Sequence, residues 1–308
     1  MEAWQRIAEW NEKVYAQDLF KQSGWLAEGG LVSEYNAWKY FSLIPVSFLK
    51  TPTGETDMDA FKAMSAFLMY HWDAGQMAGI SLSNGLCGQY NAGFTLLRSY
   101  LELLLKGSYF QCLSQKEFRE DPNIVLKSTD SVSILTTNMS SLISQEHVDD
   151  IDLEKDSMLV FEVLRGHWSQ DLFHPEVRLI ARQVDGWGML EGLEGNPVEI
   201  IGELYGELSQ NVHERVEYTD SGRAVEEGTE IFEWPAPILG QSLSEFLHDF
   251  HLAMEAGVIS VLNQLARQIP PAMLQEKSRQ LLGSDGFDLA NLRSSTKLLK
   301  RWIARGPG

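Results

Sequence analysis

The chain has little cysteine, little positive charge and no long apolar run, and each shortage removes a class of protein. Two cysteines, Cys87 and Cys112, cannot make a disulfide framework. Both fall in apolar stretches, where a buried thiol is the ordinary reading. A reducing, cytoplasmic setting is therefore expected. Lys and Arg number 25 against 43 Asp and Glu, for a net charge of −18. A surface of that sign repels phosphate, which disfavours RNA or DNA as a partner over any broad face. No apolar run approaches the roughly 20 residues that span a bilayer, so no membrane span is expected. The acidic, amphipathic start lacks the order of a secretory signal, a basic region followed by an apolar one. Also missing are a Gly-x-x-x-x-Gly-Lys-Ser/Thr loop, a Gly-x-Ser-x-Gly elbow and any arguable Cys–His pairing. No cofactor and no metal is implied.

What is present is helical periodicity. With 308 residues, 44% of them hydrophobic, the chain can bury a real core. Alternating apolar residues are absent from its interior, and no repeat of fixed period occurs. Trp4, Ile7, Asn11 and Val14 lie at helical spacing within residues 2–21. Residues 31–49 are rich in aromatics, with Pro45 setting a kink or boundary. Thr56 or Asp57 can cap a helix through Phe61, Met64, Phe67 and Leu68. Residues 73–113 read as one or two long helices. Their first half carries so many small residues that helices must cross closely there, or break near Gly85–Gly88. Gly186 to Gly195 marks a flexible connection before Pro197, which stands near a helix start. The acidic stretch 217–237 reads as a long loop with a short hairpin around Ser221 and Gly222. Ser242 with Glu245 three residues on reads as a capping box opening a helix that ends before Pro270. The expected fold is all-α, a bundle of long helices with one long irregular acidic loop. Its core is expected from residues 61–113 and 198–265. Three stretches follow: an aromatic-rich helical segment (1–55), a helical core (56–270) and an extension with a basic amphipathic helix (271–308).

Two helices carry the polar residues of most interest. At about 100° per residue, Arg98 borders the apolar face of helix 94–110 instead of opposing it. A guanidinium there must reach out to water or meet a carboxylate, and Glu102 at i+4 is within reach. On helix 198–213, Ile201, Tyr205, Leu208 and Val212 form the apolar face, with Ser209 and His213 on its flank. If the two helices pack, Arg98, Glu102, Tyr205, Ser209 and His213 converge. The plainer alternative is a surface Arg98–Glu102 ion pair and a His213 favoured at a helix C-terminus by the dipole.

The segment containing Arg98, Ser99 and Glu102 resembles the RS-x-x-E helix of a group of HEPN-like all-helical proteins. The segment Tyr205, Ser209, His213 looks like their second signature, Y-x-x-x-S-x-x-x-H. The two signatures cover about a tenth of the chain. The resemblance implies either a binding or regulatory module, in a prokaryotic defence or stress setting, or a metal-independent ribonuclease. In the nuclease, Arg98 would steady the scissile phosphate, Glu102 would orient Arg98 and His213 would be general acid or base. The HEPN nuclease motif places Arg four to six residues before His on one helix. No His in this chain has an Arg at that distance.

Two further features complete the inventory. His248 and His251 are spaced i, i+3, a weak metal signature with no third ligand in view. From Arg293 onward there are five basic residues and no acid. Lys297, Lys300 and Arg301, interleaved with Leu298, Leu299, Trp302 and Ile303, are candidate binding residues for RNA, for an anionic membrane or for the acidic body itself. The aromatic-rich 31–49 region raises a third possibility, an oligomerisation protein or homodimer.

Overall fold

A computed structural model of the chain describes residues 30–51, 53–119, 121, 155, 157, 177–212, 219–228 and 239–304. The expected helix over 2–21, residue His213 and most of the acidic stretch 217–237 lie outside the described residues. Among the described residues every named element is a helix. In chain order they are α1 Gly30–Phe48, α2 Met58–Ala63, α3 Ser65–Leu86, α4 Tyr90–Ser114, α5 Lys116–Arg119 and α6 Val177–Gly186. There follow α7 Pro197–Val212, α8 Asp220–Glu226, α9 Gly240–Gln268, α10 Pro271–Leu282, α11 Asp285–Leu289 and α12 Arg293–Ala304. The expected all-α bundle is what forms. None of the described helices is long and apolar enough to cross a membrane.

Helix α9 is the axis of the bundle. It packs against α1, α3, α4, α7 and α12, and its buried face runs from Leu243 through Phe250, Met254, Val258 and Val261 to Leu265. The principal core draws on Phe41 and Phe48 of α1 and on Leu298, Leu299 and Trp302 of α12 as well as on α3, α4 and α9. It is thus wider than residues 61–113 and 198–265. A second cluster joins the end of α4 to α6 through Tyr109, Phe110, Ile180, Val184 and Trp187. Helices α3 and α4 form a hairpin closed at Gly88, whose φ of 76° suits glycine. Both expectations for the small residues hold: the helix breaks there, and helices cross closely. A Cβ at Gly85 would stand 2.2 Å from the Phe246 ring.

Pro45 does not end α1, which runs through it. Proline leaves the carbonyl of the residue four before it without its helical donor. That carbonyl is Phe41 O, and it accepts from His71 Nε2 at 2.8 Å. Burial holds the His71 pKa down at about 4, so the ring is neutral.

Several helix starts are satisfied from elsewhere in the chain. Asp57 caps α2 locally, accepting from Ala60 N at 3.1 Å, as expected. Helix α3 follows Met64, which has no capping oxygen. Gln111 accepts from Phe67 N at 3.1 Å and Ser157 Oγ from Ala66 N at 2.9 Å. Helix α9 follows Leu239, and the cap is Glu227, which accepts from Gln241 N at 3.0 Å and Ser242 N at 2.9 Å. This corrects the capping-box reading: Ser242 lies inside the first turn, and its hydroxyl donates to Glu227 at 2.7 Å. The expected hairpin at Ser221 and Gly222 is also corrected. Thr219 Oγ1 accepts from Gly222 N at 3.1 Å and starts α8. The Gly186–Gly195 connection is held in place, since Asn263 Nδ2 donates to Met189 O and Glu191 O, and Arg267 Nη2 to Trp187 O.

Candidate functional site

Helices α4 and α7 do pack together, and Tyr205 is the joint. Its hydroxyl accepts from Arg98 Nη2 at 2.8 Å and donates to Glu102 Oε1 at 2.7 Å. Arg98 Nη2 also stands 3.4 Å from Glu102 Oε1, and Lys106 Nζ lies 3.5 Å from Glu102 Oε2. The guanidinium sits 5.0 Å from the Tyr205 ring centroid, a cation–π distance. Burial, and then the bond to Glu102, push the phenol pKa up, so Tyr205 keeps the proton that it donates. Arg98 Nε is buried without a hydrogen-bond partner. Of the five residues expected to converge, three meet. Ser209 turns back on its own helix, donating to Tyr205 O at 2.6 Å. His213 lies outside the described residues. Tyr205 bonds Arg98 and Glu102 together and ties α7 to α4, while Arg98 Nε is left unpaired.

A second polar centre, not foreseen from the sequence, lies between α4, α7, α8 and α9. Arg223 of α8 is 7% exposed. Its Nη2 donates to Asn211 Oδ1 at 2.8 Å, and its Nη1 to Glu245 Oε2 at 3.3 Å and Ser242 Oγ at 3.4 Å. Its guanidinium lies 5.0 Å from the Phe94 ring centroid. Asp220 anchors the same helix by accepting from Asn91 N at 2.9 Å. Beside Arg223 opens a cavity of about 690 Å³, lined by Phe94, Gln210, Asn211 and Ser244 and by the charged or titratable Glu207, Glu245, His248 and Asp249. Burial, and after it the neighbouring Glu207 and Glu245, push the Asp249 pKa up to about 7, against a smaller opposing effect of Arg223. The signal in the sequence was Thr219 as an N-cap, masked by Gly222 and by the shortness of α8.

The basic C-terminal helix lies on the body of its own chain. Leu298, Leu299 and Trp302 are buried. Lys297 pairs with Glu194, and Arg301 Nη1 with Glu191 Oε1 at 3.2 Å, while Lys300 is exposed. The buried carboxylate of Glu255 accepts from Ser295 N at 2.8 Å and Ser295 Oγ at 3.0 Å, capping α12. His248 and His251 do not share a site. His248 lines the cavity, whereas His251 Nδ1 faces Glu34 Oε1 at 3.8 Å. Among the described residues no group of three or more His, Cys, Asp or Glu is arranged to hold a metal ion. In the aromatic segment, Phe41 and Phe48 serve the core, and Tyr35, Leu43 and Val46 remain exposed.

Fold and polar centres together define an all-α protein built around one central helix, with a locked Arg–Tyr–Glu joint and an acid-lined cavity beside it. Compared with protein-family models, with curated proteins and with solved structures, the chain matches none of them.

Proposed function

We propose that this chain is a HEPN-like binding or regulatory module of the cytoplasm, and that the Arg98–Tyr205–Glu102 group is its structural joint. The observation that carries the reading is the bonding of Tyr205 to both Arg98 and Glu102. A nuclease needs its arginine donors aimed at a phosphate, in a site that stabilises developing charge. Here Arg98 Nη2 is engaged by Tyr205 at 2.8 Å and Glu102 at 3.4 Å, and the binding space lies next door, in the cavity under α8. The opposing reading is a metal-independent ribonuclease using Arg98 and His213. Incubation of the purified chain with RNA in EDTA separates the two. The module leaves RNA intact, and its Arg98→Ala variant melts at a lower temperature than the parent. Cleavage by the parent that is lost in both Arg98→Ala and His213→Ala establishes the nuclease instead.

A further inference from the structure

We propose that the outer face of α1 and α3 is the interface of a two-fold homodimer, in which α1 of each copy lies on α3 of the other. The proposal goes beyond the module reading and uses none of the residues on which that reading rests.

Of the ten large apolar side chains exposed among the described residues, eight fall on α1, α2 and α3. Three are on α1 (Tyr35, Leu43, Val46) and three on α3 (Met69, Trp72, Ile80), with Trp72 as much as 68% exposed. Single exposed apolar residues need no account, but a gathered set marks a contact surface. Charge is scarce on the same two helices. In a chain of net charge −18 they carry Glu34, Lys39 and Asp73, and Glu34 is buried. Aromatic and methionine side chains with few charges are the composition of an interface centre.

The six side chains form one surface. Helices α1 and α3 run antiparallel: Trp38 lies against Gly79 and donates from Nε1 to Gly75 O at 2.9 Å, while Phe41 packs against His71 with ring centroids 4.4 Å apart. At about 100° per residue, the exposed stripe on each helix is turned about 80° from the side that meets the other helix. Because the helices are antiparallel, both stripes turn to the same side. Taking about 200 Å² for a whole large side chain, the six present roughly 600 Å² at their fractional exposures. Lys39, Gln76 and the partly exposed Trp38 add to that, towards the 800 Å² or so that each partner gives to a standard interface.

Register makes this face complementary to itself, which is what a two-fold interface requires. Gly75 stands against Ser42 near the middle of the face. At about 1.5 Å of rise per residue, Lys39 lies about 4.5 Å to one side of that contact and Asp73 about 3 Å to the other. A two-fold axis through the contact therefore brings Lys39 of each copy over the partner's Asp73 and the partner's Trp72. The same operation sets Tyr35 over the partner's Met69, Leu43 over the partner's Gln76 and Val46 over the partner's Ile80. Neither Lys39 nor Asp73 is in an ion pair among the described residues, so each is available to the second copy.

Sedimentation equilibrium on the full chain, from about 1 to 100 µM, tests this. The parent is expected as a dimer, and Trp72→Glu should weaken association by about tenfold or more. Lys39→Asp and Asp73→Lys each set like charges against one another twice across the axis, and each should weaken association by about tenfold or more. An equimolar mixture of those two variants regains both attractive pairs, so it should form a heterodimer about as tight as the parent. Recovery on mixing cannot come from misfolded chains, and circular dichroism checks each variant alone. The proposal is overturned by a parent that is monomeric at about 100 µM. The face then belongs to residues 1–29, which join α1 at Gly30, or to a different protein. It is equally overturned by a dimer that Trp72→Glu leaves unchanged, or by a mixture no tighter than the single variants. RNA cleavage is a separate readout, so failure here leaves the module reading standing on its own test.

Discussion

Position 257 on the central helix has room for a hydrogen atom and nothing larger. A Cβ built there would stand 1.8 Å from the Tyr100 hydroxyl and 3.0 Å from the Phe41 ring. Tyr100 cannot withdraw, because it is fully buried and donates to Ala253 O at 3.2 Å. Gly257→Ala should therefore destabilise the chain by about 3 kcal/mol, the upper range for overpacking, despite the better helix propensity of alanine. A rise in melting temperature would show that Tyr100 has another place to go. Legibility at this scale was uneven. Arg98 and Glu102 could be read because both lie on one helix at i, i+4, and Tyr205 because its helix has a regular apolar face. Arg223 could not be read. Its partners, Asn211, Ser242 and Glu245, come from two other helices, and no local spacing records them.

Helices in this chain are found easily and their beginnings poorly. Apolar periodicity located α4, α7 and α9, since burial of one face dictates it, whereas the single helix expected through Phe61, Met64, Phe67 and Leu68 is two, α2 and α3, broken at Met64. The starts of α3 and α9 follow Met64 and Leu239, which offer no capping oxygen. The caps come from Gln111, Ser157 and Glu227, and α12 takes Glu255. A capping-box search presumes a cap three residues away and so misassigned Ser242. A tertiary cap also makes helix formation depend on docking. Glu255→Ala should cost about 2 kcal/mol, because Ser295 N and Oγ are left buried without an acceptor. Glu255→Gln, which keeps an acceptor oxygen, should cost less. Hydrogen exchange in α12 is the measurement: protection should fall selectively there in the alanine variant. Uniform loss across α9 and α12 would assign Glu255 a role in the core instead.

At the scale of the whole molecule, acidity and burial combine into a pH dependence with a definite sign. Glu34, which lies 3.8 Å from His251, has its pKa pushed up to about 7 by burial, against a smaller opposing backbone hydrogen bond. Asp249, facing Glu207, Glu245, Arg223 and His248, is likewise raised to about 7. For an acid whose folded pKa exceeds its unfolded value, the contribution to stability is present at low pH and is lost as pH rises through the folded pKa. The charged forms thus oppose folding at pH 8. His71 has the reverse sign: its pKa is lowered to about 4, and its contribution is lost as pH falls below 6.5. A Glu34→Gln, Asp249→Asn double variant should be more stable than the parent at pH 8 by about 1–2 kcal/mol, discounted because both groups keep some solvent, with the gain shrinking towards pH 5. Denaturant melts at the two pH values measure it, and an equal effect at both would remove these two carboxylates as the source. One arrangement bears on how the molecule can be remodelled. Glu227 grips Gln241 and Ser242, and Tyr90 Oη accepts from Leu239 N and donates to Leu239 O. Residue 227 and residues 239–242 are therefore held at a single clasp. Whatever is spliced between residues 228 and 239, whether a shorter linker, a reporter domain or a new pair of termini, starts and finishes at neighbouring points on a platform that is already fastened.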